Sequence, residues 1–299
     1  AELERLNDEP AIQARLFTVL GDVYQNLGRY ERSERLLERA LAIDRRVYGD
    51  DHPKTASTMA SLAWTLKDTG DYERADSLLS RALSIQQSVP GASDSLVATT
   101  YNSRGVIAFE QSRYDAAESW HRKALDIRRN LYPDGTPPLA YSLYNLAITR
   151  HQQGAHGEAE PLYREALDVA RIHLPAKHPE TTRILRDLGR LLMETGRHDA
   201  AAPFLNEVLA INRDVLGDDH ARIATDLNNL ASLHVRRGDP QAAEPLFRDA
   251  LARRRAQLSP DHPYIATSLN NLAYTLKEQG KVEASVPLYR EAVRIAEEA

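Results

Sequence analysis

A single register governs this chain. Gly28, Gly70, Gly154, Gly196, Gly238 and Gly280 fall on a spacing of 42 residues, and Ser112 fills the one slot that lacks glycine. A segment that short cannot bury a core alone, so seven copies in 299 residues must stack on one another. Eight positions before each turn stand Leu20-Gly21, Leu62-Ala63, Arg104-Gly105, Leu146-Ala147, Leu188-Gly189, Leu230-Ala231 and Leu272-Ala273. Five positions after it comes Ser or Ala, and twelve after it Ala in every copy but one, where Val208 stands. Small residues at fixed places call for close helix-to-helix approach at those places.

Within a repeat the apolar spacing is helical. In the seventh, Ile265, Leu269, Leu272, Ala273 and Leu276 form one stripe, the register glycine ends that helix, and Ala284, Leu288, Ala292 and Ile295 form a second stripe. We term the two helices of each repeat A and B. Between repeats, "GDDHP", "GDDHA", "AKHP" and "SPDHP" place a polar residue before proline or alanine, which predicts an N-cap followed by the first residue of the next helix A. No strand-like alternation interrupts the pattern, so the expected class is all-α.

Paired small residues around a glycine turn, Tyr30, Tyr72 and Tyr114 two positions past it, and an Ala-Leu pair closing helix B resemble the tetratricopeptide repeat. The usual repeat is about 34 residues; this one is longer, by about one turn on each helix. With "LNNLA" and "DHP" it is similar to the repeats of kinesin light chain and many bacterial relatives. The resemblance implies a right-handed superhelical solenoid spanning 1–299, with repeats near 10–48, 53–90, 94–132, 137–174, 179–216, 221–258 and 263–298. It also implies that one face of each helix A lines a concave groove that binds a peptide or protein segment. The opening "NDEPAIQARLFTVLGDVYQNLGRYERSERLLERAL" further resembles the repeat region that follows the catalytic domain of some bacterial serine/threonine kinases. That implies an alternative role as the regulatory or sensor part of a larger enzyme.

On a helical wheel, Asn270, Asn271 and Tyr274 stand opposite the apolar stripe. By the resemblance, Asn102, Asn145, Asn228, Asn229, Asn270 and Asn271 project into the groove. Asn amides both donate and accept, so a row of them suits a peptide backbone whatever its sequence; equally, polar residues there can be solvated or can bond neighbouring helices. Arg183, Arg186 and Arg190 share one face of the fifth helix A, and with Arg150 and Arg236 they form a candidate patch for carboxylate or phosphate. An acidic line of Asp22, Asp68, Glu110, Glu194 and Glu278 opposes it, so arginine–carboxylate surface pairs are the competing reading. Trp64, Tyr141, Tyr144, Tyr274 and Phe109 map to the groove side as candidate hot spots, and Trp120, in a helix B, is assigned to the core. The expected partner is acidic or aromatic in character.

Other chemistry finds no footing in the sequence. A net charge of −5 gives no electrostatic drive toward nucleic acid, and no apolar run approaches a membrane span. There is no cysteine, hence no disulfide, thiolate metal site or cysteine nucleophile, which fits a cytoplasmic protein. Phosphate-loop, dinucleotide, nucleophile-elbow and kinase motifs are missing, so no catalytic residue, cofactor or metal is expected. His52, His178, His220 and His262 share one position in the inter-repeat loop and read as structural. His151 and His156 lack a metal-binding context. At the ends, "AELERL" reads as the tail of a preceding helix, and Leu288, Val293 and Ile295 are left without a covering helix. Both ends are therefore expected to be apolar, with self-association through the terminal repeats and a chain cut from a longer protein.

Overall fold

The computed structural model describes residues 9–89 and 93–298. "AELERL" lies outside them. Among the described residues there are fourteen α-helices and no strand, and no helix is long and apolar enough to cross a membrane. The all-α class and the seven helix-turn-helix hairpins are as the sequence predicts. The chain divides into two compact units, 1–162 and 163–299, the division falling within α8.

The N-terminal unit holds α1 (Pro10–Asn26), α2 (Tyr30–Tyr48), α3 (Pro53–Thr69), α4 (Tyr72–Ser88), α5 (Asp94–Glu110), α6 (Tyr114–Leu131), α7 (Pro137–Gln152) and the start of α8 (His156–His173). Odd-numbered helices are A helices and even-numbered ones B helices. Leu37 and Leu41 of α2 pack with Met59, Leu62 and Leu66 of α3, so the core runs from one hairpin into the next. The C-terminal unit holds the rest of α8, then α9 (Pro179–Glu194), α10 (His198–Leu216), α11 (Ala221–Arg236), α12 (Pro240–Gln257), α13 (Pro263–Glu278) and α14 (Val282–Glu298). There Phe247 and Leu251 of α12 pack with Leu269, Leu272 and Leu276 of α13 and with Ile295 of α14. Ile295 is fully buried, contrary to its expected exposure, because it closes the last hairpin against α13.

Helix A of the seventh repeat shows how each turn is built. His262 Nδ1 accepts the Tyr264 N–H at 3.1 Å, and Pro263 starts the helix. At its other end Gly280 takes φ +79°, which lets the Lys281 N–H reach the Leu276 carbonyl at 2.9 Å. All seven register positions are left-handed, including Ser112 at φ 58°. The serine holds the conformation without glycine's freedom, and the same backbone bond, Arg113 N–H to the Ala108 carbonyl at 2.8 Å, closes its turn.

At all but one junction, successive hairpins within each unit are joined by a buried polar contact that a helical wheel does not display. It links one helix B position to a position fourteen residues on, in the next helix A. Thr58 donates to Asp44 at 2.6 Å, and Thr100 to Gln86 at 2.8 Å. Arg128 donates to Ser142 at 2.7 Å and to the Pro138 carbonyl at 2.8 Å. Asn212 donates to Asp226 at 2.5 Å, and Arg254 to Ser268 at 2.7 Å and to the Tyr264 carbonyl at 2.8 Å. In the remaining copy the two positions are Ala170 and Ile184, both fully buried. We call these contacts junction keys; five are polar and differ in chemistry, and one is apolar.

Candidate functional site

The asparagine row is placed by helix-A neighbours lying side by side. In the N-terminal unit Asn145 Nδ2 donates to Asn102 Oδ1 at 2.9 Å, and in the C-terminal unit Asn271 Nδ2 donates to Asn228 Oδ1 at 3.0 Å. In both pairs the first asparagine position of one repeat meets the second of the next. These four amides are therefore half-buried and committed to each other, although each pair keeps further donors and acceptors. Asn229 is half-buried and Asn270 is exposed.

The arginines divide sharply. Arg183 lies 3.3 Å from Glu180, Arg186 3.8 Å from Asp226, and Arg190 3.4 Å from Asp187 and 4.0 Å from Glu194. Burial raises the Glu180 and Asp226 carboxyls above their usual range, and the arginine beside each opposes that rise. Arg150 pairs with Glu118 at 2.8 Å and with Glu158. For these four the paired reading holds. Arg236 is different: it is exposed and makes no hydrogen bond or ion pair among the described residues.

Arg236 also borders a cavity of about 400 Å³ between α11 and α13, lined by Ser232, Val235, Phe247, Asn271, Tyr274 and Thr275. Phe247 is 2% exposed and forms an apolar wall; Tyr274, 44% exposed, stands at the rim. Ser232 and Thr275 direct their hydroxyls to the carbonyls of Asn228 and Asn271, both at 2.8 Å, which leaves the outward oxygens as acceptors. The structure thus brings Asn271, Tyr274 and Arg236 together around one cavity, with Asn228 behind it bonded to Asn271. Sequence reasoning missed Ser232, Val235 and Phe247. Ser232 and Val235 follow the asparagine pair on the same helix, and Phe247 stands where other repeats have Leu37 and Leu79, so its register alone signalled a buried wall.

The other aromatic candidates scatter. Trp64 is 39% exposed, with the Lys67 ammonium 4.7 Å over its ring. Tyr141 is half-buried. Tyr144 is only 4% exposed, so it offers almost no surface to a partner. Trp120 is half-buried rather than core: it stacks on Tyr101 at 5.7 Å, and the Arg104 guanidinium lies 4.2 Å over its ring while pairing with Asp76 at 2.8 Å. The four loop histidines are all N-caps, their Nδ1 atoms accepting the N–H of Lys54, Glu180, Arg222 and Tyr264.

Stacked helical hairpins joined at a fixed register define a helical-repeat protein. Tetratricopeptide repeat matches cover residues 13–88, 96–172, 180–256 and 227–298, with a further match over 144–214. The chain belongs to the tetratricopeptide repeat family. No curated protein matches it. Among solved structures it is similar to kinesin light chain-type repeats from Podosopora anserina, at 20% identity and TM-score 0.58 over 69% of this chain and 97% of that one. It is also similar to the apo form of RapI, at 15% identity and TM-score 0.68 over 96% and 100%. A third is the Rap conjugation regulator of plasmid pLS20, solved with a Phr peptide, at 16% identity and TM-score 0.59 over 93% and 72%.

Proposed function

We propose that this chain is a non-catalytic scaffold whose helix-A face holds an extended or irregular peptide or protein segment. The cavity beside Arg236 is its anchor in the C-terminal unit. The observation that carries the reading is the contrast among arginines: Arg183, Arg186 and Arg190 already face carboxylates, while Arg236 stands unpaired at the mouth of a cavity with an apolar wall. Such a site suits an apolar or aromatic side chain flanked by a carboxylate, with Asn270 and the free valences of Asn228 and Asn271 meeting the peptide backbone. The fold likeness to a Rap regulator solved with a peptide supports the reading. The apolar outer sides of α1 and α14 support a second role, self-association through the terminal repeats.

The test is selection from a random peptide library followed by fluorescence anisotropy with variants. Arg236→Ala is expected to weaken acidic peptides by about 1–2 kcal/mol and to flatten the salt dependence, while Arg190→Ala has a smaller effect. Tyr274→Ala should weaken acidic and neutral aromatic peptides alike. Unchanged binding in both the Arg236 and Tyr274 variants, or a library that enriches nothing, would overturn the proposal.

A further inference from the structure

The helix-A face of the N-terminal unit carries the opposite charge pattern to the cavity beside Arg236. Asp22, Trp64, Val106 and Ile148, on α1, α3, α5 and α7, share one register position, the one that Ser232 and Tyr274 hold in that cavity. Asp22, Val106 and Ile148 are half-buried, and Trp64 is 39% exposed. The row is therefore a wall of one indole and two branched aliphatic side chains, with a carboxylate at its α1 end. Asn102 and Asn145, bonded to each other, lie about one turn before Val106 and Ile148.

Carboxylates on this face outnumber the cations free to meet them. Asp22 accepts from Ser61 of the neighbouring helix and makes no ion pair among the described residues. Burial raises its carboxyl above the usual range, and the Ser61 hydroxyl only partly offsets the rise. Glu110, exposed on α5, makes no ion pair among the described residues either. The cations of these helices are committed or distant. Lys67 lies 2.5 Å from Asp68, which also accepts from Gln25 at 2.9 Å. Arg104 and Arg150 pair with carboxylates on helices B. Arg15 and Lys54 stand in the first two turns of α1 and α3, whereas Asp22 is near the end of α1.

We propose that this face is a second docking site, for a peptide segment in which an apolar side chain adjoins a lysine or arginine. The apolar side chain lies on Trp64, Val106 and Ile148, the cation meets Asp22, and the Asn102–Asn145 amides meet the peptide backbone. This rests on the reading that helix-A faces hold peptide segments, and it gives the two units opposite charge preferences. Charge complementarity selects the occupant. An acidic segment would set a second carboxylate beside Asp22, whereas a cation supplies the half-buried charge with the partner it lacks.

Two random peptide libraries with abundant apolar residues test it, one with lysine and arginine as its only charged residues, the other with aspartate and glutamate. The full chain is expected to enrich peptides from both. In fluorescence anisotropy, Asp22→Asn, whose amide oxygen still accepts from Ser61, should weaken the basic peptides about tenfold and flatten their salt dependence. The acidic peptides should be unchanged. Trp64→Ala should also weaken the basic peptides, and Arg236→Ala should not; matching circular dichroism of Asp22→Asn and wild type separates binding from folding. A basic library that enriches nothing, or basic peptides that bind Asp22→Asn as tightly as the wild type, would overturn this site. The anchor beside Arg236 would still stand if the acidic peptides lose affinity in Arg236→Ala. Conversely, basic peptides sensitive to Asp22→Asn alongside acidic peptides indifferent to Arg236→Ala would support this site and overturn that anchor.

Discussion

His121 offers the sharpest probe of how the repeats are packed. It holds the helix-B position occupied by Leu37, Leu79 and Leu205, and its ring lies on the bare backbone of Gly105, where an added Cβ would come within 2.4 Å of the imidazole. The side chain is 1% exposed, and Nδ1 has no hydrogen-bond partner. Burial, with the nearby Arg128 charge adding to it, pulls the imidazole from 6.5 down to about 3. As pH falls through 6.5 the unfolded chain therefore takes up a proton that the folded chain refuses until about 3, so stability present above 6.5 drains away across that window. At 1.36 kcal/mol per decade, the loss amounts to about 2 kcal/mol by pH 5 and approaches about 5 kcal/mol at the acid end. His121→Leu substitutes the residue that two other glycine-backed sites already carry, above Gly21 and Gly189. Urea unfolding of both proteins, followed by circular dichroism, should show the variant gaining on the wild type by about 2 kcal/mol between pH 7.5 and pH 5. A difference between the two that stays constant with pH would refute the account.

Two further outcomes follow from the capping and key contacts. His262→Ala should lower stability by about 1 kcal/mol, and His262→Asn, whose amide oxygen sits where Nδ1 does, should restore most of it; equal melting temperatures for the two variants would refute the capping role. Arg254→Ala strands the Tyr264 carbonyl and the Ser268 hydroxyl, at a cost of about 2–3 kcal/mol, whereas neighbouring Arg255→Ala removes only an exposed pair with Glu291 and should cost under about 1 kcal/mol in the same unfolding assay.

The hairpins were legible because their signal repeats letter for letter: glycine at a left-handed turn, small residues where backbones approach, a polar cap before proline. Even Ser112 could be placed, since its register outweighed its identity. The keys were illegible for the opposite reason. Asp44, Gln86, Arg128, Ala170, Asn212 and Arg254 share a position but no chemistry, and each makes sense only beside a partner in the following helix. The site failed in the same way. A wheel drawn for one helix shows Asn271 pointing away from its own stripe, yet the adjacent helix A supplies Asn228 to meet it. The neighbouring helix likewise gave Arg186 its carboxylate, Asp226, whereas Arg183 and Arg190 find theirs on their own helix and Arg236 is left without one.

The junction keys also bear on how such a gene can change length. Unequal recombination between like segments removes whole repeats, and the 42-residue register would tolerate any such loss. The keys would not. Losing residues 129–170 would bring Arg128 onto Ile184, burying a guanidinium against an aliphatic side chain. Losing residues 129–254, three repeats at once, would bring Arg128 onto Ser268, the partner that Arg254 already has. Viable shortening is thus confined to deletions that rejoin like keys, and the sequence carries its own record of which segments can be neighbours.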